Sequence, residues 1–252
     1  MKLPPVAPPA MHFINAKGSN VPQEFAVAAR ANPDVIPQMA ETPKELQALQ
    51  KEALARQYVI IVDMSGSMGA RDGKGTRWDS ARSAVEKMVD TIFAYDVDHT
   101  VPLYLFDSEV TFIGELTKAS QVKAVFKEFG PRGTTGLGAA LREALSTYAG
   151  TKRPNYQLVP GTTFIVLLDG GADDEADVMR VLQEFADPRN GYIENHTQIA
   201  LSFVQVGDDA SASAFLQKLD DSITPDICDF KRDDILTQSG GLDRLLHEAI
   251  FD

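Results

Sequence analysis

Cysteine is almost missing: Cys228 is the only one in 252 residues. A lone thiol closes no internal disulfide and cannot by itself build a structural zinc site. Positive charge is scarce as well, with 24 Lys and Arg against 36 Asp and Glu and a net charge of −12. A protein that tracks a phosphate backbone carries the opposite balance, so nucleic acid is not an expected partner. No apolar run approaches the roughly 18 residues needed to cross a bilayer. The opening MKLPPVAPPA has one lysine and no apolar stretch, unlike a secretory leader. A soluble, cytoplasmic protein is therefore the expectation. Wholesale disorder is excluded by a hydrophobic content of 44% beside 24% charged residues.

Proline is present in quantity but unevenly, with eight of the 14 prolines in the first 43 residues. Proline fixes φ and removes a backbone donor, so residues 1–41 read as an extended, proline-rich arm of nearly zero net charge. Phe13, Ile14, Val21, Phe25, Val27, Val35 and Ile36 give this arm apolar points with which to pack against the domain that follows. Thr42, Pro43 and Glu45 form a helix start, with Thr42 as N-cap and Glu45 closing a capping box. The domain is expected to run from 42 to 252, opening on a helix over 43–56.

From Tyr58 onward short apolar runs alternate with amphipathic stretches. Tyr58–Val62, Val101–Phe106, Thr163–Leu168 and Ile199–Val206 are rich in β-branched or aromatic residues and read as buried central strands. Glu109–Ile113 follows a tight Asp107-Ser108 turn and reads as an antiparallel edge strand, and Asp226–Phe230 as the last strand. Segments 77–95, 118–128, 137–149, 174–186, 210–219 and 233–250 have helical periodicity, the first opened by a Thr76/Asp79 capping pair. No internal repeat is present. The pattern predicts an α/β fold: a Rossmann-like, open, mostly parallel sheet with helices on both faces and one antiparallel edge strand. In such sheets ligands sit at the carboxyl ends of the strands.

The residues there carry chemistry. Asp63-Met64-Ser65-Gly66-Ser67-Met68-Gly69 follows the first strand and places a carboxylate and two hydroxyls at alternate positions. Three hard oxygens aimed at one point suit Mg²⁺ or Mn²⁺ rather than zinc. Taken alone, the loop reads equally well as a Ser/Gly turn capping the next helix. Two further loops add to it. Gly133-Thr134-Thr135-Gly136 offers a hydroxyl before a helix, and Asp169-Gly170-Gly171 places a carboxylate at the end of Phe164–Leu168.

This combination resembles the von Willebrand factor A domain and its metal-ion-dependent adhesion site, over roughly residues 58–250. The family's D-x-S-x-S motif corresponds to Asp63, Ser65 and Ser67. Its loop threonine corresponds best to Thr135, with Thr134 the alternative by a one-residue slip, and its later Asp-Gly to Asp169-Gly170. The resemblance implies that Asp63, Ser65, Ser67 and Thr135 hold Mg²⁺, with Mn²⁺ or Ca²⁺ as alternatives, while Asp169 acts directly or through water. It implies a protein-binding module rather than an enzyme. Its metal would keep one position open for an Asp, Glu or C-terminal carboxylate of a partner, another copy of the chain included. Leu168 stands where many relatives carry Thr or Ser, and Met64 departs from many relatives too. The Arg77-Trp78 pair, with the following helix, is similar to intracellular microbial members.

Competing readings are weaker. Asp96-Val97-Asp98-His99-Thr100 matches the D-x-D-x-T nucleophile loop of haloacid-dehalogenase phosphatases, the basis of an alternative Mg²⁺-dependent phosphate-ester hydrolase. That chemistry needs the first Asp at a strand end, whereas the preceding residues have helical periodicity. Gly69–Thr76 lacks phosphate-loop spacing, and no His adjoins Ser65 in sequence to serve as its base. Asp173, Asp174, Glu175 and Asp177 read as an acidic helix N-terminus, Cys228 as an inert buried residue and Trp78 as packing.

Overall fold

The structure, a computed structural model, describes residues 21–73, 75–152 and 160–251. The strands are β1 (Gln57–Asp63), β2 (Arg71–Asp72), β3 (Gly75–Thr76), β4 (Val101–Phe106), β5 (Val110–Leu116), β6 (Thr162–Leu168), β7 (Ile199–Gln205) and β8 (Cys228–Arg232). The helices are α1 (Gln23–Ala31), α2 (Ile36–Met39), α3 (Pro43–Ala53), α4 (Arg77–Tyr95), α5 (Ser120–Glu128), α6 (Leu137–Lys152), α7 (Glu175–Ala186), α8 (Ala210–Ser222) and α9 (Gly241–Phe251). No described helix is long and apolar enough to cross a membrane.

Six strands form one sheet in the order β5-β4-β1-β6-β7-β8, parallel throughout except for the β4–β5 pair. Side chains along each strand alternate between two cores, as a pleated strand requires. In β1, Val59 and Ile61 pack with α6, α7 and α8, while Tyr58, Ile60 and Val62 pack with α4, α5 and α9. Both faces are thus covered, which is what keeps a parallel sheet stable in water. This is the mostly parallel α/β fold with an antiparallel edge that the sequence pattern predicts.

The connections decide where a ligand can enter. β1 leads into α4 on one face, and its neighbour β6 leads into α7 on the other. Adjacent strands whose connections leave for opposite faces open a crevice at their carboxyl ends. Asp63 and Asp169 lie at that crevice.

The region before the sheet departs from the extended reading. Residues 23–39 are helical, in α1, a 3₁₀ turn over Pro33–Val35, and α2. Pro22 caps the first, Pro33 opens the second and Pro37 lies in the first turn of the third, positions where a missing N–H costs nothing. Ala26, Ala29 and Ile36 pack with Leu49 and Ala53 of α3 and with Phe251 of α9. Arg30 and Glu52, both buried, form an ion pair in which Nε donates to Oε2 at 3.1 Å. The segment wraps the domain, although Phe25 stays 41% exposed. Phe13 and Ile14 lie outside the described residues.

Both expected capping boxes form, Thr42 with Glu45 and Thr76 with Asp79. The single helix expected over 233–250 is divided into a 3₁₀ turn at Asp233–Thr237 and α9. Gly240, at φ +68°, makes the break.

Candidate metal centre

Asp63 is the last residue of β1 and fully buried. Beyond it Met64 and Met68 turn into the α4-side core, so the loop is pinned from below by two apolar anchors. The intervening residues face the crevice: Ser65 is buried and Ser67 is exposed. Asp63 Oδ1 accepts the Ser65 N–H at 2.6 Å, fixing the turn. The Ser65 and Ser67 hydroxyls lie 2.9 Å apart, and Ser67 Oγ donates to Asp169 Oδ1 at 2.8 Å. Asp169, fully buried just past β6, accepts from Arg77 Nη1 through its other oxygen at 2.9 Å. Asp63, Ser65, Ser67 and Asp169 are thereby joined in one hydrogen-bonded chain.

The third loop is held against the first by backbone. Gly66 N–H donates to Gly133 O at 3.2 Å and Arg132 N–H to Met64 O at 2.7 Å. Thr134 Oγ1 lies 3.1 Å from Ser108 Oγ, so its hydroxyl is engaged away from the serine pair. Thr135 is buried, and its N–H donates to Asp173 Oδ2 at 2.8 Å. No hydrogen bond joins its side chain to Ser65 or Ser67, so Thr135 shares the crevice without closing the chain. Asp174 Oδ2 accepts from Gly138 N at 3.0 Å. Asp173 and Asp174 therefore serve the start of α6 across the crevice, in addition to opening α7. A Cβ on Gly138 would stand 2.8 Å from Asp174 Oδ2, so glycine is what permits the approach.

The electrostatics fit a cation. Asp63 Oδ2 is buried and accepts no hydrogen bond. Burial pushes the Asp63 carboxyl up to about 7, the charge of Asp169 adding to the rise and the bonds from Ser65 opposing it. A buried carboxylate with a bare oxygen beside two hydroxyls and a second carboxylate is a set of hard oxygen donors, the kind that Mg²⁺ and Mn²⁺ take. Among the described residues, the crevice included, no group of three or more His, Cys, Asp or Glu side chains converges on one point, so a cation here would depend on the serine hydroxyls.

The residues behind the competing readings lie elsewhere. Asp96 ends α4, and its carboxylate accepts from Tyr58 N at 3.1 Å and Thr100 N at 3.0 Å. Tyr58 is at the start of β1, so Asp96 stands at the opposite end of the sheet from Asp63. Gly69–Thr76 contains the two-stranded hairpin β2–β3, which periodicity did not reveal. None of His99, His196 and His247 hydrogen-bonds to Ser65; His99 meets Phe93 O, His196 faces Asp34 and His247 packs on Phe251. Trp78 stacks on Phe126 with ring centroids 4.3 Å apart, and Cys228 is buried with its thiol pushed well up by burial.

Arg77, Asp173 and Ser108 take part in the crevice without having been predicted there. Arg77 alone left a trace in the sequence: a cation at the first position of a helix opposes the helix dipole, so a partner elsewhere is needed to hold it.

Residues 58–171 match the family described as the von Willebrand factor type A domain. No curated protein sequence matches the chain. Among solved structures, the SpRpn10 VWA domain is 14% identical with a TM-score of 0.52, over 70% of this chain and 87% of that one. The PilB minor pilin of Streptococcus sanguinis, as a D319A mutant, is 13% identical with a TM-score of 0.56, over 77% of this chain and 62% of that one. A manganese-loaded TRAP protein of Plasmodium vivax is 14% identical with a TM-score of 0.51, over 73% of each chain. Such identities carry the fold alone. The stretch that bears the crevice loops is thus similar to the von Willebrand factor type A domain, and the fold around it is the one that these structures share.

Proposed function

We propose that the chain binds a partner protein through a divalent cation, Mg²⁺ foremost with Mn²⁺ or Ca²⁺ as alternatives, held in the crevice between β1 and β6. Asp63, Ser65 and Ser67 are the ligands, Thr135 completes them from its loop, and Asp169 orients them. The cation offers its open position to an acidic group of the partner: an Asp or Glu side chain or a C-terminal carboxylate, on another protein or another copy of the chain. Domains of this family are generally interaction or adhesion modules, not enzymes. The observation that carries the reading is the buried, unpartnered Asp63 Oδ2 beside the Ser65–Ser67 pair. A TRAP protein loaded with manganese is a precedent within the fold. Asp96, on which a hydrolase would depend, is at the far end of the sheet and engaged in backbone hydrogen bonds.

The test is a pull-down in Mg²⁺, repeated in EDTA and with Asp63→Ala. Capture that needs the metal and is lost in the variant supports the reading; capture that persists in EDTA and weakens steeply with salt overturns it. With a net charge of −12 the protein repels acidic partners at long range. Moderate salt should therefore leave a metal-bridged affinity flat or raise it slightly.

A further inference from the structure

Arg77 is the cation that the crevice already contains. It is the first residue of α4, its N–H donates to Ala70 O at 3.0 Å, and its side chain reaches the end of β6 to pair with Asp169 at 2.9 Å. Asp169 is fully buried and Arg77 is 19% exposed, so the pair joins the floor of the crevice to solvent. Room for the guanidinium comes from the end of β7. Gly207 has φ +86°, and a Cβ there would stand 3.0 Å from Arg77 Nε. Among the described residues the guanidinium forms no hydrogen bond beyond that to Asp169, which leaves donors of Nε and Nη2 uncommitted.

Two consequences follow from charge and geometry. Both Asp169 oxygens are already engaged, Oδ1 by the Ser67 hydroxyl and Oδ2 by Arg77. The carboxylate is thus restrained from acting as a direct ligand. A divalent ion beside the Asp63 and Asp169 carboxylates is neutralised by them, and a neutral centre on an acidic protein attracts no anion. Arg77 returns positive charge to the centre, shared with Asp209, whose carboxyl is held low by its bonds from Ser211 and Ala212 and by the Arg77 charge.

We propose that Arg77 determines the specificity of the crevice for anionic partners: it holds Asp169 back from the metal and gives its free donors to the partner's carboxylate. The proposal rests on the metal reading above. It assigns Arg77 opposite effects on two ligands, weakening the hold on the cation and strengthening the hold on the anion. A role in loop structure alone would weaken both when Arg77 is removed.

The experiment measures Mn²⁺ affinity by titration calorimetry, and acetate affinity at saturating Mn²⁺ by water-proton relaxation, for wild type, Arg77→Gln, Arg77→Lys and Arg77→Gln/Asp169→Asn. Removing a unit charge close to a divalent ion should tighten Mn²⁺ binding about tenfold or more. Asp169→Asn in the same chain should cancel most of that gain, because Asp169 is then no longer a ligand. Acetate binding should weaken about tenfold in Arg77→Gln and less in Arg77→Lys, which keeps the charge without the planar fork. Melts in EDTA should place Arg77→Gln below wild type, since a buried carboxylate has lost its cation. If Arg77→Gln binds Mn²⁺ no more tightly than wild type, or if acetate affinity is unchanged, the assignment of Arg77 is wrong while the metal reading stands. If neither wild type nor any variant binds Mn²⁺, the metal reading fails and this inference fails with it.

Discussion

Gly66 and Gly133 join two loops of the crevice through one backbone hydrogen bond, N–H to carbonyl at 3.2 Å. The bond sets Thr135 beside the serine loop although the two segments belong to different strand–helix connections. Gly133 has φ +65°, and a Cβ there would lie 2.7 Å from Ser108 Oγ. Gly133→Ala should therefore cost about 1–3 kcal/mol in strain and clash. It should weaken Mn²⁺ binding more than it lowers the melting temperature. Calorimetric titration and thermal melts compare the two losses; a variant with full metal affinity would show that the Thr135 loop contributes nothing.

Asp63 Oδ2 is buried without a hydrogen-bond partner, an arrangement expected to cost stability unless a cation offsets it. Asp63→Asn can still accept the Ser65 N–H while removing a charge that is costly to bury. In EDTA this variant should melt at or above wild type, by about 1 kcal/mol at most. In millimolar Mg²⁺ the order should reverse, because wild type alone gains linkage stabilisation, about 2.7 kcal/mol at a hundredfold excess over Kd. Melts with and without Mg²⁺ read both signs.

Arg30 and Glu52 fasten the N-terminal helices to α3 through Glu52 Oε2, while Glu52 Oε1 is buried and accepts no hydrogen bond. Arg30→Ala should cost about 3–5 kcal/mol by stranding a buried carboxylate. Replacing both residues by Met should recover most of that loss. Deleting residues 1–41 should lower the melting temperature by uncovering Leu49, Ala53 and Phe251. Urea unfolding of the three variants measures each term; a deletion that leaves stability unchanged would remove the wrapping role.

Asp96 gives stability a pH dependence at the far end of the sheet. Burial pushes its carboxyl up to about 8, helped by its hydrogen bond with Asp98 and that neighbour's charge. Asp98 is lowered, its hydrogen bonds with Asp96, Thr100 and Gln57 outweighing its own burial. The folded state thus holds the Asp96 proton where the unfolded chain has released it. Its contribution is complete below about pH 4 and is lost as pH rises through about 8, with a slope of at most about 1.4 kcal/mol per pH unit. Asp96→Asn mimics the protonated form, so its stability relative to wild type should rise from pH 5 to pH 9. Denaturant midpoints across that range test it, and parallel curves for the two proteins would refute it.

What the sequence revealed followed local rules. Strand β4 matches its expected limits because Val101–Phe106 is bounded by turn residues, and α4 because Thr76 and Asp79 cap it. The helices at 23–39 escaped because their prolines start helices here, a position where proline is harmless but looks like a breaker. The crevice was legible as far as its motif residues went: Asp63, Ser65, Ser67 and Asp169 do meet. Arg77 and Asp173 act across elements far apart in sequence, and no spacing encodes such a contact.

Ser67 and Asp169 are 102 positions apart in the chain, yet they share one hydrogen bond at the crevice. During synthesis the serine loop and the Thr135 loop emerge well before β6 exists to carry Asp169 into place. A growing chain that has reached only residue 160 holds most of the expected ligands and has no crevice in which to assemble them. On the proposed reading, a cation would stabilise only a chain in which β1 and β6 have made their non-local pairing. Under the proposed function, partner capture would wait until β6 has joined the sheet, and a shorter chain would stay silent in whatever assembly the domain joins.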